Sequence, residues 1–125
     1  MESKKVAASY FAALANGESP FFKLKNKWSQ PGNNKFSDLK NNLDKVCKMF
    51  ERVMIDTSVN MTVKSEGAMM KSVGLVAVPV WSAAKKEMKS MVLAGTDLFE
   101  VKAAKIVYVW TFSYDQQVHD EFWGN

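Results

Sequence analysis

Hydrophobic positions along the chain fall first at helical spacing and then at strand spacing. Val6, Tyr10, Ala13 and Leu14 recur three and four residues apart, which predicts an amphipathic helix. Ser3 is placed to cap its start, and Gly17 stands where a left-handed C-terminal residue is wanted. Ser19 followed by Pro20 predicts a short second helix. The stretch "NKWSQPGNNKF" reads as loop, dense in Asn, Pro and Gly. Ser37 then predicts the start of a third helix with Leu39, Leu43, Val46 and Phe50 on one apolar stripe.

From Arg52 the period changes. In "VMIDTSVNMTV", Val53, Ile55, Val59, Met61 and Val63 stand against Asp56, Ser58, Asn60 and Thr62, which predicts a strand with one buried face. "SEG" turns it into a long apolar run, Ala68 to Trp81, where Gly74 suggests a bulge or sharp curvature and Pro79 an edge or bulge position. "SAAKKE" reads as a connection, and a third strand runs from about Met88 to Val101. "KAAK" turns again into a last strand, Ile106 to Asp115. Helices followed by long strands on short turns imply an α+β domain, with helices over one face of a strongly curved antiparallel sheet.

The remaining bulk properties narrow the picture only a little. A chain of 125 residues supports one domain, 1–125, and one core. No apolar run approaches the length that spans a bilayer, and "MESKKVAASYF" lacks the apolar stretch of a secretory signal. The lone Cys47 cannot form an internal disulfide and fits a reducing compartment, so a cytoplasmic protein without a membrane is the expectation. Net charge is +4, and seven lysines lie between Lys23 and Lys48. No nucleic-acid-binding signature accompanies them, so a solvated basic face is expected and no nucleic-acid partner.

One residue stands out chemically. In "VLAGTDLFEV", Leu93, Gly95, Asp97, Phe99 and Val101 share one face of the predicted strand, so Asp97 is a carboxylate on an apolar side. Such a group costs free energy unless something answers it. On the last strand Tyr108, Trp110, Phe112 and Tyr114 form an aromatic row opposite Val107, Val109, Thr111 and Ser113. That row either lies beneath the helices or forms an outer patch suited to a partner copy.

"SYFAALANGE", Ser9 to Glu18, resembles the first-helix signature of the NTF2-like superfamily, and within it of the SnoaL-like polyketide cyclases and ketosteroid isomerases. "GTDLFEV" with "KAAKIVYVWTFSYD" is similar to the last hairpin of that group, and the element order and length also agree. The resemblance implies a cone-shaped fold with an apolar pocket for a small hydrophobic molecule. It implies a Tyr10 hydroxyl and an Asp97 carboxyl as oxyanion donors, with neither metal nor organic cofactor. Trp28, Phe99, Val107, Val109 and Thr111 are then expected to line the pocket.

The chain also departs from the pattern. Where the isomerases carry an Asp before a Pro as catalytic base, Gln30 precedes Pro31, and glutamine takes no proton. Asp56 is the nearest substitute, although a solvated strand face is the simpler reading of it. His119 reads as a solvated histidine near the end of the chain, and Cys47 as a packed thiol. The function expected is binding in the pocket, with an isomerase, cyclase or lyase activity as its catalytic form. The alternative is a non-catalytic module that dimerises or recognises a protein through the same fold.

Overall fold

The computed structural model describes residues 3–15, 24–30, 32, 34–40, 42–57, 61–86, 88–103 and 105–124. Three α-helices and one seven-stranded sheet make up the described residues. The predicted C-terminal residue Gly17 and the helix at Ser19–Pro20 lie outside them.

Helix α1, Ser3–Ala15, buries Val6, Tyr10 and Ala13 of the predicted stripe together with Ala7 and Phe11, which the stripe did not include. The stretch expected to be loop contains a strand, β1, Leu24–Gln30. It runs parallel to the last strand and antiparallel to the short β2, Asp38–Lys40. A segment as rich in Lys and Asn as "LKNKWSQ" has little strand preference of its own, so pairing on both sides supplies the conformation.

Helix α2, Leu43–Thr57, corrects two expectations. Its cap is Asn42, whose side chain accepts from the Lys45 amide at 2.9 Å, while Ser37 Oγ instead accepts from the Asn34 amide in the preceding loop. Leu39 belongs to β2 and is half exposed. The helix also continues through Val53–Thr57, where alternation predicted a strand. Val46, Met49, Phe50, Val53 and Thr57 follow the helical period into the core, and Ile55 is left 68 % exposed. Five alternating residues are too few to tell period two from the edge of a period-3.6 stripe.

The sheet then builds in chain order. Strand β3 is Met61–Ser65, β4 is Met70–Ser72, β5 is Leu75–Lys86, β6 is Lys89–Lys102 and β7 is Lys105–Ser113. Their order across the sheet is β2-β1-β7-β6-β5-β3, with β4 also on the outer edge of β5. Ser82–Lys86 of "SAAKKE" form the end of β5 and not a connection, since Lys86 pairs with Lys89 of β6. Gly74 lies in the β4–β5 turn at φ +70°, a left-handed conformation that glycine adopts without cost, so it is not a bulge within a strand. Pro79 falls between the stretch of β5 paired to β4 and the stretch paired to β3. Its carbonyl accepts from the Glu66 amide at 2.7 Å, and its missing N–H faces the same gap.

Beyond β7 lies helix α3, Gln116–Trp123. Asp115 caps it by accepting from the Val118 amide at 3.2 Å, and Phe122 and Trp123 are buried. The Asn34–Phe36 loop is tied to its end through the Lys35 amide, which donates to the Gly124 carbonyl at 2.7 Å. Helices and sheet enclose one core, centred on Tyr10, Phe99, Val78 and Val109.

Candidate functional site

Strand alternation dictates what faces the helices. Met91, Asp97, Phe99 and Val101 of β6 are buried, while Val92 and Ala94 are exposed. Asp97 pairs with Thr111 of β7 on one side and Val78 of β5 on the other, so it sits in the middle of the sheet's concave face. Only 8 % of it is exposed. Among the described residues no hydrogen bond or ion pair answers its carboxyl group.

Above it lies a cavity of about 520 Å³, within the range of small-molecule sites. Its wall is largely apolar, from Trp28, Phe36, Met49, Phe50, Val53 and Trp123, with polar groups from Tyr10, Gln30, Thr62, Lys64, Ser82, Asp97, Thr111, Ser113 and His119. Burial drives the Asp97 carboxyl from 3.8 up to about 7, because an ion without partners is poorly solvated there. Tyr10 is held by aromatic contacts, with ring centres 5.1 Å from Phe11 and 5.4 Å from Phe99. Burial, and secondarily the charge of Asp97, raise its phenol well above 10, so it stays a proton donor. Tyr10 and Asp97 both line this cavity.

Gln30 is part of that wall, and its side chain is fixed. The Trp28 indole N–H donates to Gln30 Oε1 at 2.8 Å, and the Thr111 hydroxyl reaches the same oxygen at 3.2 Å. Trp28 is itself edge-on to Phe50, with ring centres 5.1 Å apart.

The other expected residues divide. Trp28 and Thr111 line the cavity. Phe99 and Val109 are wholly buried and form the layer beneath it. Val107 is the extra residue of a bulge, where Tyr108 pairs with Glu100 but Ile106 pairs with Val101, so Ile106 turns inward in its place. Asp56 is on a helix and outside the cavity. It is ion-paired to Lys35 and, at 3.1 Å, to Arg52, and the hydrogen bond from Lys35 chiefly holds its carboxyl below the usual value. A carboxylate so engaged is a poor proton acceptor.

His119, expected in solvent, lines the cavity instead. Helical spacing places Trp123 one turn beyond it, and the Trp123 indole N–H donates to His119 Nε2 at 3.3 Å. Asp120 turns away, accepting from the side-chain amides of Asn34 at 2.6 Å and Gln116 at 3.0 Å. Burial lowers the His119 pKa, with Asp120 opposing. The cap signal of Asp115 was available in the sequence and marks the helix that carries His119 inward.

The fold is the NTF2-like fold: three helices on a large, curved, open α+β sheet. Among solved structures, a protein of unknown function with a cystatin-like fold from Xanthomonas campestris, which is the same architecture, superposes with a TM-score of 0.93 at 28% identity over 100% of both chains. An NTF2-like protein from Anabaena variabilis gives 0.77 at 16% identity, covering 98% of this chain and 93% of that one. TerC, co-crystallised with polyporic acid, gives 0.81 at 10% identity, covering 94% and 95%. No protein-family model matches the sequence, and no curated protein matches it. Among the described residues no helix is long and apolar enough to cross a membrane.

Proposed function

We propose that the cavity binds a small hydrophobic molecule through a carbonyl oxygen, with the Tyr10 hydroxyl and the protonated Asp97 carboxyl as donors. The observation that carries this reading is Asp97: buried, unpartnered among the described residues, and facing a largely apolar cavity. A bound carbonyl oxygen would give that carboxyl the hydrogen bond it lacks, and would accept from the phenol as well. TerC's co-crystallisation with polyporic acid supports a small organic molecule as the occupant.

The same two donors would stabilise negative charge developing on the oxygen during enolisation, commonly worth a few kcal/mol each. An acid with a pKa near 7 both gives and takes a proton at neutral pH. His119 Nε2 already accepts from Trp123, and Gln30 takes no proton. With Tyr10 and protonated Asp97 engaged as donors to the oxygen, a cofactor-independent isomerase, cyclase or lyase built on this wall passes the carbon-bound proton to a base other than Asp97.

The test uses 2-methylisoindolin-1-one, a flat uncharged lactam, titrated at pH 6 while tryptophan fluorescence is followed. Tyr10→Phe and Asp97→Leu should each weaken binding roughly tenfold, about one strong hydrogen bond. Unchanged affinity in both variants would remove the carbonyl reading.

A second reading rests on the outer face of the sheet. Tyr108 and Trp110 stack at 3.8 Å with rings 5° from parallel, and Phe112 is 52 % exposed. Such a patch favours a homodimer or another protein partner. Analytical ultracentrifugation that finds only a 14.1 kDa species at micromolar concentration would count against the dimer.

A further inference from the structure

Gln30 occupies the wall of the cavity with its orientation decided by chemistry. An indole N–H can only donate, so the Gln30 atom 2.8 Å from Trp28 Nε1 must be the carbonyl oxygen. The Thr111 hydroxyl, 3.2 Å from the same oxygen, satisfies its second lone pair. The amide nitrogen is thereby directed away from both, and among the described residues it has no acceptor. Gln30 lies beside Thr111, and Thr111 pairs with Asp97, so amide, hydroxyl and carboxyl run in a row across three adjacent strands of the concave face. Neighbouring strands are about 4.8 Å apart, so the Gln30 amide is displaced by some ångströms from the Tyr10–Asp97 wall. It cannot serve the same ligand atom without a shift, but it is placed to serve a second one.

We infer that Gln30 is a specificity-determining residue, whose Nε2 donates to a second acceptor oxygen of the ligand, so that the cavity selects uncharged ring compounds with two carbonyl oxygens over those with one. This rests on the carbonyl-binding reading of the Tyr10–Asp97 wall. Two acceptor oxygens on an apolar frame match the polar groups of the wall, namely two donors at one end and an amide at the other. Each donor that finds no partner in the bound state costs affinity, because its water has been removed.

The experiment compares two probes that differ by one oxygen, N-methylphthalimide with two carbonyls and 2-methylisoindolin-1-one with one, titrated against the wild-type protein and Gln30→Glu at pH 6. Glutamate is isosteric and keeps an oxygen for Trp28 and Thr111, but as the carboxylate it presents an acceptor where the amide presented a donor. The wild type should bind the two-carbonyl probe roughly fivefold more tightly, the worth of one neutral hydrogen bond. Gln30→Glu should lose that preference, so that the two probes bind with equal affinity; the ratio of the two affinities is the readout, because a change common to both probes leaves it unaltered. A preference that survives in Gln30→Glu, or a loss of affinity for both probes alike, overturns the role of Gln30 while leaving the Tyr10–Asp97 reading standing. Failure of the wild type to bind either probe overturns both.

Discussion

The Trp123 indole donates to His119 Nε2, so the imidazole must keep a lone pair there and be neutral. Protonation would set two N–H groups against each other. The His119 pKa is lowered in the folded protein, so the unfolded chain binds the proton first as pH falls below about 6.5. Stability is then lost progressively from about pH 6.5 downward. Equilibrium urea unfolding at pH 7 and pH 5 should show a larger loss for the wild type than for His119→Gln, which can accept from Trp123 without titrating. Equal losses would mean that His119 titrates alike in the folded and unfolded chains, so that the Trp123 contact does not disfavour its protonation.

Asp97 works in the opposite direction. Its folded pKa is raised from 3.8 to about 7, so its contribution is fully present below about pH 4 and is lost as pH rises through 7. That difference corresponds to roughly 4 kcal/mol at 1.4 kcal/mol per tenfold change, taken as an upper figure because water entering the cavity would reduce it. Asp97→Asn should therefore be the more stable protein at pH 8, by up to about 4 kcal/mol, with the gain vanishing near pH 4. Guanidinium unfolding at the two pH values reads this directly, and a less stable variant at pH 8 would show that the carboxylate has a favourable partner.

The turn between β6 and β7 carries an avoidable cost. Ala103 sits at φ +51°, in the left-handed region that a Cβ disfavours. Ala103→Gly should raise stability by about 1 kcal/mol, less the entropy that glycine adds to the unfolded chain. Thermal unfolding is sufficient to see the sign.

Gly95 is needed for a different reason. A methyl group built there would run into the carbonyl oxygen of Phe112, because β6 and β7 come unusually close where Gly95 pairs with Ser113. Gly95→Ala should cost about 2 kcal/mol, in the range of overpacked cores, as measured by chemical denaturation. A neutral substitution would mean that the strands can separate freely at this point.

Much of this was legible in the chain, and the failures have physical causes. Alternation around Asp97 identified the buried face correctly because a half-buried strand writes its two sides into every second residue. The same logic misplaced Val53–Thr57, where a helical stripe happened to alternate, and so assigned Asp56 to a strand. Strand β1 was hidden because its conformation comes from neighbours far away in sequence. His119, expected in solvent, faces inward because at helical spacing it shares a face with the buried Trp123. Val107 was misdirected by a bulge, which shifts the parity of every residue before it and leaves no signature in the sequence.

Pro79 also governs how the molecule meets its neighbours in a crowded solution. The outer border of β5 is covered by two short segments with a proline notch between them, and β3 and β4 each offer only five and three residues to an approaching chain. A foreign strand therefore finds no long continuous row of amides to dock against, which guards this border against fibre-like stacking. Replacing the proline would keep the carbonyl that accepts from Glu66 but add an N–H donor and lengthen the row, raising the tendency to self-associate.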